Sequence, residues 1–223
     1  MPLILGVTGA IAAGKSHLCR YLVERYGAVH IDADQVAHAM YAPGTIGFER
    51  VVAEFGSGVV GQDGTIDRAA LGRIVFGQPE RMRALATAMG DMRAELRGIV
   101  DGWRASLPAD GIAVLEAIYL IEEGYAEWCD ATWLVAADET LALPRLMERN
   151  GLTEVEARVR LDAATPWQDR APACDRLFFN DGTTTAFEAE IDEAMEELLG
   201  LARAGTLPPS RWHAWRAETR GER

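Results

Sequence analysis

Residues 3–27, "LILGVTGAIAAGKSHLCRYLVERYG", run from an apolar stretch through a glycine-bounded loop into a segment of helical period that stops at a glycine. A strand, a tight loop and a helix in that order make half of a β-α-β unit, and such units assemble a parallel sheet covered by helices on both faces. The loop itself, "GAIAAGKS" over 9–16, fits G-x-x-x-x-G-K-[ST] in the strand-to-helix setting that gives the pattern its meaning. Backbone N–H groups at the start of the helix then cradle the phosphates of a nucleoside triphosphate. An ordinary glycine-bearing turn is the competing reading, and Lys15 weighs against it. It is the single lysine among 22 basic residues. Everywhere else the chain uses arginine, whose planar fork on a longer stem cannot replace a compact ammonium ion wrapped by a tight loop.

The alternation continues along the chain. Apolar runs at 28–34, 111–117, 131–138 and 176–182 are short, rich in β-branched or aromatic residues and without strict alternation, the mark of strands buried on both faces. Segments of helical period fill the gaps, among them "TEVEARVRLDAA", opened by a capping box of Thr153 and Glu156. The pattern predicts a three-layer α/β/α fold with a parallel sheet of about five strands. The interval from 34 to 111 is too long for one crossover helix, so a helical insertion is expected over about 45–105. It interrupts a single domain of 1–204 whose core is 1–44 and 106–204. A small helical lid is expected over about 143–170, and residues 205–223, which begin near a Pro pair, form a tail of uncertain order.

Ligands of such sheets bind at the carboxyl ends of the strands. There Ser16 is a candidate magnesium ligand, and Lys15 reaches the transferring phosphoryl group. The second run ends in Asp32-Ala33-Asp34, where a carboxylate can take a proton from an acceptor hydroxyl or assist the metal. Asp34 is the favoured base; its competing role is to cap the helix that follows. Glu116 ends the third run, the place of an acid that supports magnesium and its waters, with Glu in place of the commoner Asp. Around the helix-turn-helix of the lid, Arg145 is the candidate that neutralises phosphate charge on closure. Arg158 and Arg160 read instead as surface residues paired with neighbours such as Glu154.

Composition removes other classes. The net charge of −12 argues against a nucleic-acid binder, and no apolar run approaches the ~18 residues of a membrane span. The apolar start passes directly into the glycine motif, which reads as a first strand rather than a signal peptide. Three widely spaced cysteines and four scattered histidines fit reduced thiols in a cytoplasm better than disulfides or a structural metal.

The segments "TGAIAAGKS", "VHIDADQVAH", "APGT", "DGTIDRAALGRIVF", "CDATWLV", "RLMERNGLTEVEARVRL" and "CDRLFFNDG" resemble, in register from about Leu3 to Glu197, the dephospho-coenzyme A kinase family. The pairing of "IDAD" with "DGTIDRAALGRIVF" separates that family from adenylate, shikimate and gluconate kinases. The resemblance implies a P-loop kinase that uses ATP and Mg2+ to phosphorylate the ribose 3'-hydroxyl of dephospho-coenzyme A, as a monomer or small homo-oligomer. It implies that Ala12, Ala13, Gly14, Lys15, Ser16 and His17 line the ATP phosphates and that Asn180 lies near the adenine. It further implies Asp34 as the base with Asp32 beside it, Arg145 as the lid arginine, and the helical insertion as the acceptor-binding part. Departures cluster on the acceptor side: Gly90-Asp91 stands for a His-Pro pair, Glu116 and Ile118 for the Asp and Pro of D-x-P-L-L, and Ala164 for a lid glutamine. His17 stands for the second P-loop hydroxyl. Two further readings stay open, a related kinase acting on another nucleotide or nucleoside, and an ATP-binding member with an altered acceptor site.

Overall fold

The computed structural model describes residues 1–221. Along the chain run β1 (Leu3–Gly9), α1 (Lys15–Tyr26), β2 (Val29–Asp32), α2 (Ala33–Met40), α3 (Ile46–Phe55), α4 (Arg68–Val75), α5 (Pro79–Met89), α6 (Met92–Ser106), β3 (Ile112–Glu116), β4 (Ala131–Ala136), α7 (Glu139–Asn150), α8 (Glu154–Asp162), α9 (Trp167–Arg170), β5 (Arg176–Phe179), α10 (Thr184–Ala204) and α11 (Arg211–Gly221). The described residues fall into two compact units, 1–31 with 102–221, and 32–101.

The first unit holds a sheet of order β2-β3-β1-β4-β5, parallel where β1 pairs with β3 and β4 and where β4 pairs with β5. β1, β3 and β4 are buried along their whole length. The edge strands β2 and β5 are only partly covered, apart from Phe178, because each has a neighbour on one side alone. The expectation of burial on both faces therefore holds for the three central strands and fails at the two edges.

Side chains alternate across each strand, so Leu3, Leu5 and Val7 share one face with Val114, Trp133, Val135 and Phe178. Leu18 and Leu22 of α1 and Phe187, Ile191 and Met195 of α10 pack onto that face. Each such side chain contributes roughly 1.5–3 kcal/mol by leaving water. On the opposite face the segment after β3 lies so close that a Cβ at Gly6 would meet Cys129 Sγ and Leu120 Cδ2, both at 2.8 Å. α9 and α11 also touch β4, completing the third layer. The tail is thus partly structured. Asp175 accepts from Ser210 Oγ and from the Arg211 N–H, both at 2.8 Å, and Trp212 is buried.

The second unit comprises α2 to α5 and most of α6, around a core of Tyr41, Val51, Val59, Ile66, Leu71, Val75 and Ala88. Thr45 caps α3 and Asp67 caps α4 through their side-chain oxygens. Gly90 ends α5 with φ 108°, a conformation only glycine adopts without strain, and Asp91 Oδ1 then accepts the Ala94 N–H at 2.9 Å to start α6. The Gly90-Asp91 pair is therefore a helix-to-helix joint. Among the described residues no helix is long and apolar enough to cross a membrane.

Candidate active site

The loop between β1 and α1 is fixed from both sides. Ala10 N–H donates to the Val135 carbonyl at 3.0 Å, and Gly9 lies against that same carbonyl, where a Cβ would not fit. Gly14 has φ 102° and opens α1 without any side-chain cap. In the first turn the His17 N–H donates to the Gly14 carbonyl at 3.0 Å, and the N–H groups of Lys15 and Ser16, which helix geometry leaves without a partner inside α1, face the place the motif reserves for an anion.

Lys15 and Ser16 both turn toward Glu116 at the carboxyl end of β3. Glu116 Oε1 pairs with the Lys15 ammonium and accepts from Ser16 Oγ at 2.7 Å. Glu116 Oε2 faces His30 Nε2 of β2 at 2.9 Å. The Glu116 side chain is 1% exposed and Lys15 14%. Burial alone pushes the Glu116 carboxyl up, but the His30 hydrogen bond, the Lys15 charge and the hydrogen bonds from Lys15 and Ser16 outweigh it and hold the group at about 2. Glu116 is therefore an anion at neutral pH, and its charge holds the ammonium of the one lysine.

Asn180, just beyond β5, closes the other side. Its Nδ2 donates to the Ala13 carbonyl at 2.9 Å, its backbone N–H donates to Ala136, and its carbonyl accepts from Arg145 Nη1 at 3.1 Å. Arg145 of α7 is in this way tied to the residue that braces the phosphate loop. α7 contacts α8, whose start shows the expected reciprocal Thr153–Glu156 capping box. Arg158 pairs with Glu154 at 2.9 Å and Glu139 at 3.5 Å on the surface. The ring Nε2 of His17 meets Glu188 of α10 at 3.0 Å, and the backbone N–H of His17 donates to the Gly14 carbonyl at 3.0 Å. What His17 offers the loop is a link to α10, not a hydroxyl.

Asp32 and Asp34 belong to the second unit. α2 begins at Ala33, earlier than the sequence pattern places it, so Asp32 is the N-cap and accepts the Asp34 N–H at 2.9 Å. The expected competing role of Asp34 as the cap is thus taken by its neighbour.

Two contributors were not singled out from sequence. His30 shares with Asp32 one face of the strand "VHID", and that i, i+2 spacing of polar residues was the available signal. Arg170 is buried: its Nε donates to Glu122 at 2.6 Å and its Nη1 to the Gly9 carbonyl at 3.3 Å. It joins α9, the segment after β3 and the first residue of the phosphate loop. A cavity of about 510 Å3 opens beside that loop, walled by Ala10, Ile11, Ala164, Trp167 and Phe179. Trp167 and Phe179 meet edge to face at 5.4 Å.

A profile of the dephospho-CoA kinase family, CoaE, matches residues 3–186. The dephospho-CoA kinase of Symbiobacterium thermophilum is 40% identical over 88% of this chain and 82% of its own length. That of Geobacter sulfurreducens is 40% identical over 85% of this chain and 95% of its own. Among solved structures, TT1252 from Thermus thermophilus aligns with a TM-score of 0.71 at 30% identity, covering 88% of this chain and 98% of that one. Dephospho-CoA kinase from Campylobacter jejuni shares the fold, with a TM-score of 0.57 at 23% identity over 87% and 96% of the two chains.

Proposed function

This chain belongs to the dephospho-CoA kinase family, and on that footing we propose that it transfers the γ-phosphoryl group of ATP to the ribose 3'-hydroxyl of dephospho-coenzyme A. The observation that carries the reading is the convergence of Lys15 and Ser16 on the buried, ionised Glu116 beside an uncapped helix start.

The uncapped N–H groups and the Lys15 ammonium bind the phosphates, and Glu116 holds that ammonium in place before nucleotide arrives. Arg145, anchored at Asn180, adds positive charge as the lid closes and water leaves. Asp34 takes the proton of the attacking hydroxyl, Asp32 being occupied as a helix cap. The donor set fits magnesium: Ser16 Oγ and Glu116 Oε1 are hard oxygen atoms 2.7 Å apart. These two residues would hold the ion directly or through its waters, and it would supply neutralisation of charge on the phosphate oxygens.

A second reading, a kinase for another nucleotide or nucleoside, draws on the acceptor-side departures. Where the family pattern has a His-Pro pair, Gly90-Asp91 forms a helix joint. Purified protein with ATP, Mg2+ and a panel of acceptors separates the two. Turnover of dephospho-coenzyme A above all other acceptors supports the first reading, and turnover of another nucleotide without it overturns that reading.

A further inference from the structure

Cys19 of α1, His30 of β2 and Glu116 of β3 lie far apart in the sequence, yet a sulfur, a ring nitrogen and a carboxylate oxygen from them all come within 4.8 Å of one another. Among the described residues this is the one group of three His, Cys, Asp or Glu side chains gathered so closely. Cys19 and Glu116 are buried, while the His30 side chain is 23% exposed and gives the cluster a route to solvent. A thiol, an imidazole and a carboxylate form the mixed sulfur, nitrogen and oxygen set that suits a borderline divalent cation such as Zn2+; Mg2+ takes oxygen alone.

The two oxygens of Glu116 face different neighbours. Oε1 is occupied by Lys15 and Ser16, and Oε2 is the one directed at His30. A cation between Cys19, His30 and Oε2 therefore reaches Glu116 through the oxygen that Lys15 and Ser16 do not use. Tetrahedral zinc bonds of 2.0–2.3 Å separate ligand atoms by about 3.5 Å, so the widest gap in the cluster has to close by roughly 1 Å, within the reach of side-chain rotation.

We propose that Cys19, His30 and Glu116 form a binding site for a thiophilic divalent cation, with water as the fourth ligand, that opposes the use of Glu116 in phosphate binding. On binding, the Cys19 thiol gives its proton to water and the sulfur pair forms the bond to the metal. His30 binds as a neutral imidazole carrying its proton on the other ring nitrogen. The carboxylate binds as it stands, and nothing is oxidised or reduced. The bound dication then competes with Lys15 for the charge of Glu116 and loosens the Lys15–Ser16 arrangement. Sequence spacing conceals the site because its ligands come from positions 19, 30 and 116. Only this inhibitory consequence rests on the kinase reading; the binding itself does not.

The test is a titration of the whole chain with Co2+ in the absence of nucleotide, followed by absorption spectroscopy, then by displacement with Zn2+. One Co2+ per chain should bind with a thiolate-to-cobalt charge-transfer band in the near ultraviolet. Cys19→Ala should lose that band while keeping turnover of Mg2+-ATP within about twofold, and His30→Gln, at a partly exposed position, should weaken Co2+ binding about tenfold or more. Absence of the band in the natural chain, or its persistence in Cys19→Ala, overturns the proposal. If Cys19→Ala does not fold, unchanged Co2+ affinity in His30→Gln does so. Because no nucleotide is present, either failure leaves the kinase reading standing.

Discussion

The side-chain amide of Asn180 donates to the carbonyl of Ala13 at 2.9 Å, which lays it across the open face of Gly14. A residue beyond the last strand thereby sets the shape of a loop that follows the first. Gly14→Ala would introduce a methyl group into the Asn180 amide and force a side chain to adopt φ 102°. The left-handed conformation alone costs ~1–2 kcal/mol. ATP affinity, measured calorimetrically, should fall about tenfold or more, and the double variant with Asn180→Ala should recover only the part due to the clash.

Glu116 titrates far below an ordinary glutamate, at about 2 against 4.5, so its ionised form is favoured by folding. The sign follows directly: this stabilisation is complete above the ordinary value and is lost as pH falls from about 4.5 to about 2. Glu116→Gln leaves Lys15 without its carboxylate and should lower stability at neutral pH by about 3 kcal/mol. Denaturant melts of both proteins should show the gap narrowing through that acidic window. A gap independent of pH would show that the partners of Glu116 do not hold its charge.

Asp34→Asn should lower turnover about a hundredfold or more with ATP affinity nearly unchanged, because it removes a proton acceptor and no phosphate contact. Asp32→Asn keeps an oxygen able to cap α2 and should cost much less. Steady-state rates and nucleotide binding on the two variants decide between them. Equal losses would shift the base to Asp32.

Arg170→Met replaces a buried cation that holds Glu122 and the Gly9 carbonyl. Breaking such a pair costs about 3 kcal/mol, and for a domain of this size the melting temperature should drop by roughly 6–12 °C. Arg170→Lys should recover less than half of the loss, since one ammonium group cannot reproduce the fork. A melt within about 2 °C of the natural chain for Arg170→Met would deny the residue this bracing role.

Much of the fold was legible because it rests on local signals. The β1-loop-α1 unit, the Thr153–Glu156 cap and the run of apolar strands are written in consecutive residues, and the structure places each where the pattern does. The partly exposed edges were not legible, since strand order is a long-range property: "VHID" looks much like a central strand until its neighbours are known. The same limit applies at the site. Lys15 and Ser16 announce themselves by motif. The residues that brace their surroundings, His30 across 86 positions from Glu116 and Arg170 across 161 from Gly9, become neighbours of those groups only through sheet pairing and the packing of α9. Gly90-Asp91 was visible as a departure from a family pattern, but its use as a joint between α5 and α6 depends on a backbone angle that sequence does not print.

A chain with a single lysine, placed at its phosphate loop and 14% exposed, carries its own occupancy reporter. An amine-acylating reagent has one side chain to modify besides the α-amino group, so the mass of the intact protein counts modified phosphate loops molecule by molecule. Nucleotide that covers Lys15 should slow that second mass increment and leave the first alone. For the purified chain, ligand binding then becomes a ratio of two peaks, with no coupled reaction required.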